Sequence, residues 1–371
     1  MKYLSTIILL FSVLAIMVGA AFYLSNRFNL YSPIISRKIW LAGIAFTFVT
    51  IIIGVIVFPT TAHPIGKTIY ILGGIISSAL IFILLAVIVS DLLNLILNFN
   101  NNTRAVISIA LALFLGVYGI WSSFSIQIKT ITIPIKGLES EINALHLTDV
   151  HLGNFRGKNQ IARIVEKINE LKPDVIFNTG DMFDSKAHFG EKMDVLEPLN
   201  NLTIPHYFVY GNHDEHVDEK KVIDLMRKAN AKVLLNEVTS FRELQIVGLN
   251  NMAVDRDTFD PHVNPSAPTI QETIELLEIH PDRPTVVLHH RPEGVKYMYK
   301  KGADLLLAGH THAGQLFPFT FLAKNMFTYN RGLYNFEEMV IYVSEGIGTI
   351  FSPVRLATRS EMTLIKLVPK N

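Results

Sequence analysis

The chain has 371 residues, half of them hydrophobic, and a formal net charge of +1. It has no cysteine, which excludes disulfides and thiolate metal sites, and its near-zero charge implies no bulk attraction to nucleic acid. Mean hydropathy is +0.34, and of 13 histidines only His63 precedes His146, so the composition splits near residue 122.

Four apolar runs occupy the first part, at residues 3–24, 39–58, 68–90 and 105–121. A helix crosses the hydrocarbon core with roughly 20 apolar residues, range about 17–25, and each run meets that length. Tyr3, Tyr23, Trp40, Tyr70 and Trp121 lie near run ends, where aromatic rings anchor at interfaces. For the first run a cleaved signal peptide is the alternative, with Lys2 before it and Gly19-Ala-Ala21 late in it. Its apolar core is longer than the usual stretch of about 7–15 residues, and three more runs follow, so an uncleaved helix is expected. Helices of a soluble core would show a polar stripe, which these runs lack. Asp91 and Asn94 end the third run and are expected to be solvated. Basic residues divide evenly, with Arg27, Arg37, Lys38 and Arg104 on one side and Lys2, Lys67, Lys129 and Lys136 on the other. Arg37 and Lys38 abut a span, which points to a cytoplasmic first loop. The expectation is an integral protein of a bacterial-type inner membrane, with residues 123–371 on the non-cytoplasmic side.

That second part begins with residues 125–135, which alternate apolar and polar with one slip of phase at Lys129-Thr130. The slip predicts a bulge, and Pro134 suits an edge strand. Strands are predicted at 142–147, 174–178, 206–210, 244–249, 285–288, 303–308, 339–343 and 362–368. Helices are predicted at 159–171, where Ile161, Ile164, Val165 and Ile168 share a face, and at 219–229. Strands alternating with helices predict layered α/β architecture.

Chemistry-bearing residues follow the strands. Asp149 and His151 come after the first core strand, and Gly180, Asp181 and Asp184 after the second. Gly211, Asn212, His213 and Asp214 come after the third; His289 and His290, then His310 and His312, follow two later ones. Each cluster alone has a plain explanation as a turn, a cap or a surface histidine. Ligands of open α/β sheets bind outside the carboxyl ends of strands, and five such placements converge on one rim. Oxygen and nitrogen donors without sulfur suit divalent manganese, iron, zinc or nickel. The donors number about twice what one ion needs, which points to two ions. Two metals roughly 3.5–4 Å apart can share a carboxylate and hold a hydroxide for in-line attack at phosphorus.

The ordered set Asp149-x-His151, Gly180-Asp181-x-x-Asp184, Gly211-Asn-His-Asp214, His290 and Gly309-His-Thr-His312 resembles the calcineurin-like metallophosphoesterases. The tail, with Tyr342–Thr349, Pro353-Val-Arg355 and Glu361–Leu364, is similar to the branch of YkuE- and YaeI-type phosphodiesterases and transmembrane proteins with a metallophosphoesterase domain. The resemblance covers about residues 125–370. It implies a four-layer αββα sandwich, here preceded by a four-helix transmembrane region, with a two-metal site between the sheets. It implies that Asp149, His151 and His312 hold one metal, that Asn212, His290 and His310 hold the other, and that Asp181 bridges. It further implies that His213 protonates the leaving oxygen while Asp184 orients its ring. The pattern His-x-Pro selects His290, although a shift of one residue would select His289. Ala313 stands where the family usually has Gly, which is tolerable unless φ there is positive.

Arg291 and Arg355 are candidate phosphate contacts, with surface salt bridges as the alternative. Leu316–Phe327 has neither a helical nor a strand period and is expected to form a lipid-facing lip beside the site. The function expected is a membrane-bound metal-dependent phosphoesterase on phosphodiester or pyrophosphate bonds of lipid-linked substrates. A lipid A precursor, UDP-2,3-diacylglucosamine, is a candidate by resemblance. The alternative is a membrane sensor or transporter whose second domain binds metal without turnover; His213 and Asp184 argue against it.

Overall fold

A computed structural model describes residues 2–57, 63–189, 195–257 and 266–370. Phe58, the end of the second predicted run, lies outside them. The chain divides into two compact units, one of Met1–Trp121 with Phe351–Val354 and one of Ser122–Ile350 with Arg355–Asn371.

The first unit is built from four helices, α1 (Lys2–Tyr31), α2 (Arg37–Val57), α3 (Pro64–Leu97) and α4 (Asn101–Phe124). Pro64 opens α3 at a position where its missing N–H costs nothing, and Asn98 closes it in the left-handed region at φ 48. Among the described residues, α3 and α4 are the two helices long and apolar enough to cross a membrane. Leu95, Ile96, Phe114 and Val117 point outward, the reverse of a soluble bundle. Leu24, Ile44 and Val87 join α1, α2 and α3 in a small core. Asp91 is not simply solvated, as its position near the helix end suggested. Its carboxylate takes Tyr23 Oη at 2.7 Å and Arg27 Nε at 2.6 Å, and it pairs with Arg104. Partners from α1 and α4 are invisible to a reading of α3 alone.

In chain order the second unit holds β1 (Ile126–Ile135), β2 (Ile142–Leu147), α5 (Lys158–Leu171), β3 (Val175–Asn178), β4 (His206–Phe208), α6 (Asn212–Lys228), β5 (Lys232–Val233), β6 (Glu237–Phe241) and β7 (Leu244–Leu249). There follow α7 (Ile270–Leu276), β8 (Thr285–His289), α8 (Val295–Lys300), β9 (Leu305–Ala308), α9 (Phe319–Met326), β10 (Gly332–Phe336), β11 (Met339–Val343) and β12 (Ser360–Pro369). Two six-stranded sheets form, ordered β1-β12-β2-β3-β4-β5 and β10-β11-β9-β8-β7-β6. Three cores define the layers. Leu145 and Phe208 pack with Ile161 and Ile168 of α5 and Met226 of α6. Phe177 and Ile365 of one sheet pack with Leu288 and Tyr342 of the other. Val287 and Ile341 pack with Ile274 of α7 and Met298 of α8. The order is helix, sheet, sheet, helix.

Strand β1 is an edge strand but carries no bulge: its register with β12 runs unbroken from Ile126 opposite Ser360 to Ile135 opposite Pro369. The slip of phase has another cause. Ile126 and Ile128 pack on the α5 side of the sheet, whereas Ile131, Ile133 and Ile135 pack between the sheets. A strand covered on one face at its start and on the other at its end must change phase. Helix α6 also begins earlier than its apolar spacing suggests. It takes in Asn212 and His213, and Asp214 caps its first turn by accepting from Gly211 N at 3.1 Å and Phe183 N at 2.9 Å.

His206 in β4 gives the fold an acid-sensitive point. Burial pushes its imidazole down from 6.5 to about 4, and its Nε2 has no hydrogen-bond partner. An unfolded His206 takes a proton below about 6.5, whereas the folded one resists until about 4. The unfolded chain therefore binds more protons in that window. The stability from this residue is full above it and is lost as pH falls through it, by at most about 3 kcal/mol. Denaturant unfolding of the purified chain at pH 7 and pH 5 should show up to about 2 kcal/mol of that drop, and His206→Phe should reduce it. An unchanged pH slope in the variant would remove His206 as the cause.

Candidate metal centre

The loops after β2, β3 and β9 share an uncommon backbone. Asp149 and His151 (φ 52 each), Asp181 (φ 54), His310 (φ 72) and His312 (φ 47) all sit in the left-handed region. Residues with a Cβ occupy it at a cost and stay there when their surroundings leave no alternative. Here the surroundings are glycine backbone pressed against the carboxylates. A Cβ on Gly309 would lie 2.1 Å from Asp149 Oδ2, and one on Gly211 would lie 2.2 Å from Asp181 Oδ1. Only glycine lets these chains approach. Thr148 Oγ1 donates to Asp149 Oδ2 at 2.8 Å, His310 N donates to the same oxygen at 3.1 Å, and His213 N donates to Asp181 Oδ1 at 2.9 Å.

Side chains from both sheets then meet in three overlapping groups, Asp149-His151-His312, His151-Asp181-His213 and Asp181-His290-His310, with donor atoms within 4.8 Å of one another. His151 Nε2 and His312 Nε2 face each other at 3.0 Å, and His312 Nε2 is 3.2 Å from Asp149 Oδ1. His290 Nε2 lies 3.0 Å from Asp181 Oδ2, while its Nδ1 meets the Thr179 carbonyl at 2.8 Å. That carbonyl requires Nδ1–H, so Nε2 presents its lone pair to the group when the ring is neutral. His289 joins none of the groups; its Nδ1 meets the Leu249 carbonyl at 3.3 Å. Asn212 Oδ1 is buried without a hydrogen-bond partner.

Charge in the centre is tightly balanced. Burial opposes ionisation of Asp149, but His312 and His151 hold its carboxyl well below the usual range. Burial likewise opposes a charge on His290, yet Asp181 beside it raises the imidazole to about 9. Burial pushes His213 down to about 4. A cluster of buried carboxylates and converging ring nitrogens suits divalent cations.

Three expectations change. No hydrogen bond joins Asp184 to His213. Asp184 is buried to 8% exposure, its Oδ1 lacks a partner and lies against Gly153, and burial pushes its carboxyl up to about 8. Arg355 is neither a surface ion pair nor open to substrate. It is fully buried, donating to the carbonyls of Glu345 at 2.7 Å and Gly348 at 2.7 Å, with Nη2 3.1 Å from His312 Nδ1. It clamps the 345–348 turn against the His312 ring, a role that the motif's spacing does not reveal. Ala313 does have positive φ, 51, where the family's glycine would be unstrained. Arg291 pairs with Glu293 at 3.0 Å. Thr148 escaped notice, although its adjacency to Asp149 was a signal.

Fold and donor set together place candidate metal-binding groups at the strand ends of a double sheet. The calcineurin-like phosphoesterase family matches residues 142–314. A metallophosphoesterase of Helicobacter pylori is 32% identical over 251 residues, 66% of this chain and 65% of the relative. The Danio rerio transmembrane protein with metallophosphoesterase domain is 30% identical over 282 residues, 71% of this chain and 62% of the relative. Phosphodiesterase YaeI of Escherichia coli is 31% identical over 239 residues, 60% of this chain and 81% of the relative. The chain belongs to the calcineurin-like metallophosphoesterases, a family of hydrolases of phosphoester bonds. The match spans 65% of the length of the Helicobacter relative.

Proposed function

We propose that this protein is a membrane-anchored phosphoesterase that hydrolyses phosphodiester or pyrophosphate bonds with two divalent cations, on lipid-linked substrates. The observation that carries the reading is the pair of donor groups sharing Asp181; the Asn212 oxygen, buried without a hydrogen-bond partner, supports it. In this reading Asp149, His151 and His312 hold one cation, Asn212, His290 and His310 the other, and Asp181 both. When bound, the cations neutralise phosphoryl oxygens and acidify water. His213 supplies the proton to the leaving oxygen. Burial keeps its ring neutral in the free site, and an anionic phosphoryl group beside it would raise its affinity for a proton. The four N-terminal helices form the anchor, and the second unit faces away from the cytoplasm.

Support for a lipid comes from α9. The run after His312 is a helix rather than an irregular lip, and it starts beside the histidine loop: a Cβ on Gly314 would lie 2.5 Å from the Phe319 carbonyl. Ala323 is its buried residue, while Phe319, Phe321, Leu322 and Met326 are exposed. Four large apolar side chains on one short helix near the donors suit acyl chains. Replacing Phe319 and Phe321 by Ser is expected to lower turnover of a diacyl phospholipid substrate by about tenfold. Mn²⁺-dependent hydrolysis of bis-p-nitrophenyl phosphate should be unchanged. Equal loss on both substrates with a lower melting temperature would place these rings in the core instead. Metal binding with no hydrolysis of either would favour a sensor.

A further inference from the structure

A cavity of about 780 Å³ opens at the N-terminus of α5, lined by Phe124, Phe155, Arg156, Lys158, Gln160 and Arg163 among others. Among the described residues, none of the candidate metal ligands lines it, and no acidic residue does. Its basic residues are held in place. Arg156 is buried and donates to Thr349 Oγ1 at 2.5 Å and Ser123 Oγ at 2.6 Å, Lys158 pairs with Glu197 at 2.7 Å, and Arg163 reaches the Phe124 carbonyl at 3.5 Å. Helix α5 has 14 residues, and its N-cap is Gly157, which has no side chain to cap the first turn. The N-terminal end of a helix carries partial positive charge and outward N–H groups, a ready site for phosphate. An independent observation points the same way. Gln160, in that first turn, is only 4% exposed, and its Nε2 donor has no hydrogen-bond partner. A buried donor of this kind is costly unless something accepts from it.

We propose that the cavity binds a phosphate group, either of an anionic lipid headgroup or of free phosphate. Three cations, a helix N-terminus and the Gln160 amide supply donors, and the one carboxylate paired with any of the three cations is Glu197, on Lys158. Phe124 in its wall is the last residue of α4, an apolar helix long enough to cross a bilayer, whose surface is dense with phosphate.

The test uses the purified full-length protein in a non-ionic detergent, with chelator present so that phosphate cannot bind through metal. Inorganic phosphate and dihexanoyl phosphatidic acid are titrated separately, and the melting temperature is read. At least one should stabilise the protein, and the Lys158→Glu/Arg163→Glu double variant should weaken its apparent affinity by about tenfold or more. Gln160→Leu guards against misfolding of that variant. It should also weaken the response, while its ligand-free melting temperature stays equal or rises because an orphaned donor has gone. A stronger response to the lipid assigns the site to headgroups; an equal response assigns it to phosphate itself. No response to either, or variants that respond as the parent does, would overturn the proposal. Hydrolysis of bis-p-nitrophenyl phosphate by the metal-loaded variants should be unaffected, which keeps this outcome separate from the catalytic reading.

Discussion

Asp181→Asn is expected to strip metal from both halves of the centre and to lower phosphodiester turnover by on the order of 10³-fold or more, about 4 kcal/mol of lost charge stabilisation. The expectation comes from position. Asp181 stands in two of the three donor groups, and its Oδ2 is 3.0 Å from His290 Nε2. The histidines around it bring no negative charge, so removing this one weakens the attraction for either cation. Metal analysis of the purified parent should give about two equivalents, and the variant should lose from both. A parent with one equivalent, unaffected by the change, would exclude a shared carboxylate.

His213→Ala should behave differently. Turnover should fall by roughly 10²–10⁴-fold, the range for lost acid–base help, with metal content largely kept. The structure makes this a demanding test, because the His213 ring packs against His151 with centroids 4.8 Å apart and joins a donor group with Asp181. Loss of one equivalent of metal would make His213 a ligand. An assay with a substrate whose leaving group needs no proton sharpens the point, since an acid's absence matters little there.

How the sequence announced the centre can be traced residue by residue. That Asp149, His151, Asp181, His290, His310 and His312 come together was legible because donors standing after apolar strands have few other reasons to recur. The choice between His289 and His290 was not legible. Adjacent strand residues point to opposite faces, and only the packing of two sheets decides which face meets Asp181. Arg355 was misread because guanidinium chemistry is the same whether it serves phosphate or backbone carbonyls, and burial is what distinguishes them. Helix α9 was hidden because its apolar residues face outward as well as inward, which erases the period that a core-facing stripe would show. Strands β5, β6 and β10 are short or half-exposed and leave little pattern to read.

The place of β12 constrains the order in which the molecule can be made. It lies between β1 and β2, parallel to the first and antiparallel to the second, and it follows every other strand in the chain. While the ribosome is still producing earlier segments, β1 has no neighbour at all, and β2 is paired on one side only. Helices α1 to α4 precede β1 in the chain and so leave the ribosome long before this sheet can close. The unclosed intermediate leaves the edges of β1 and β2 that face β12 open, and open edges are templates for pairing with other chains. Synthesis thus leaves the sheet's weakest moment to the end, and a nascent chain stalled before Ser360 would be a target for chaperones and proteases rather than a slightly shortened enzyme.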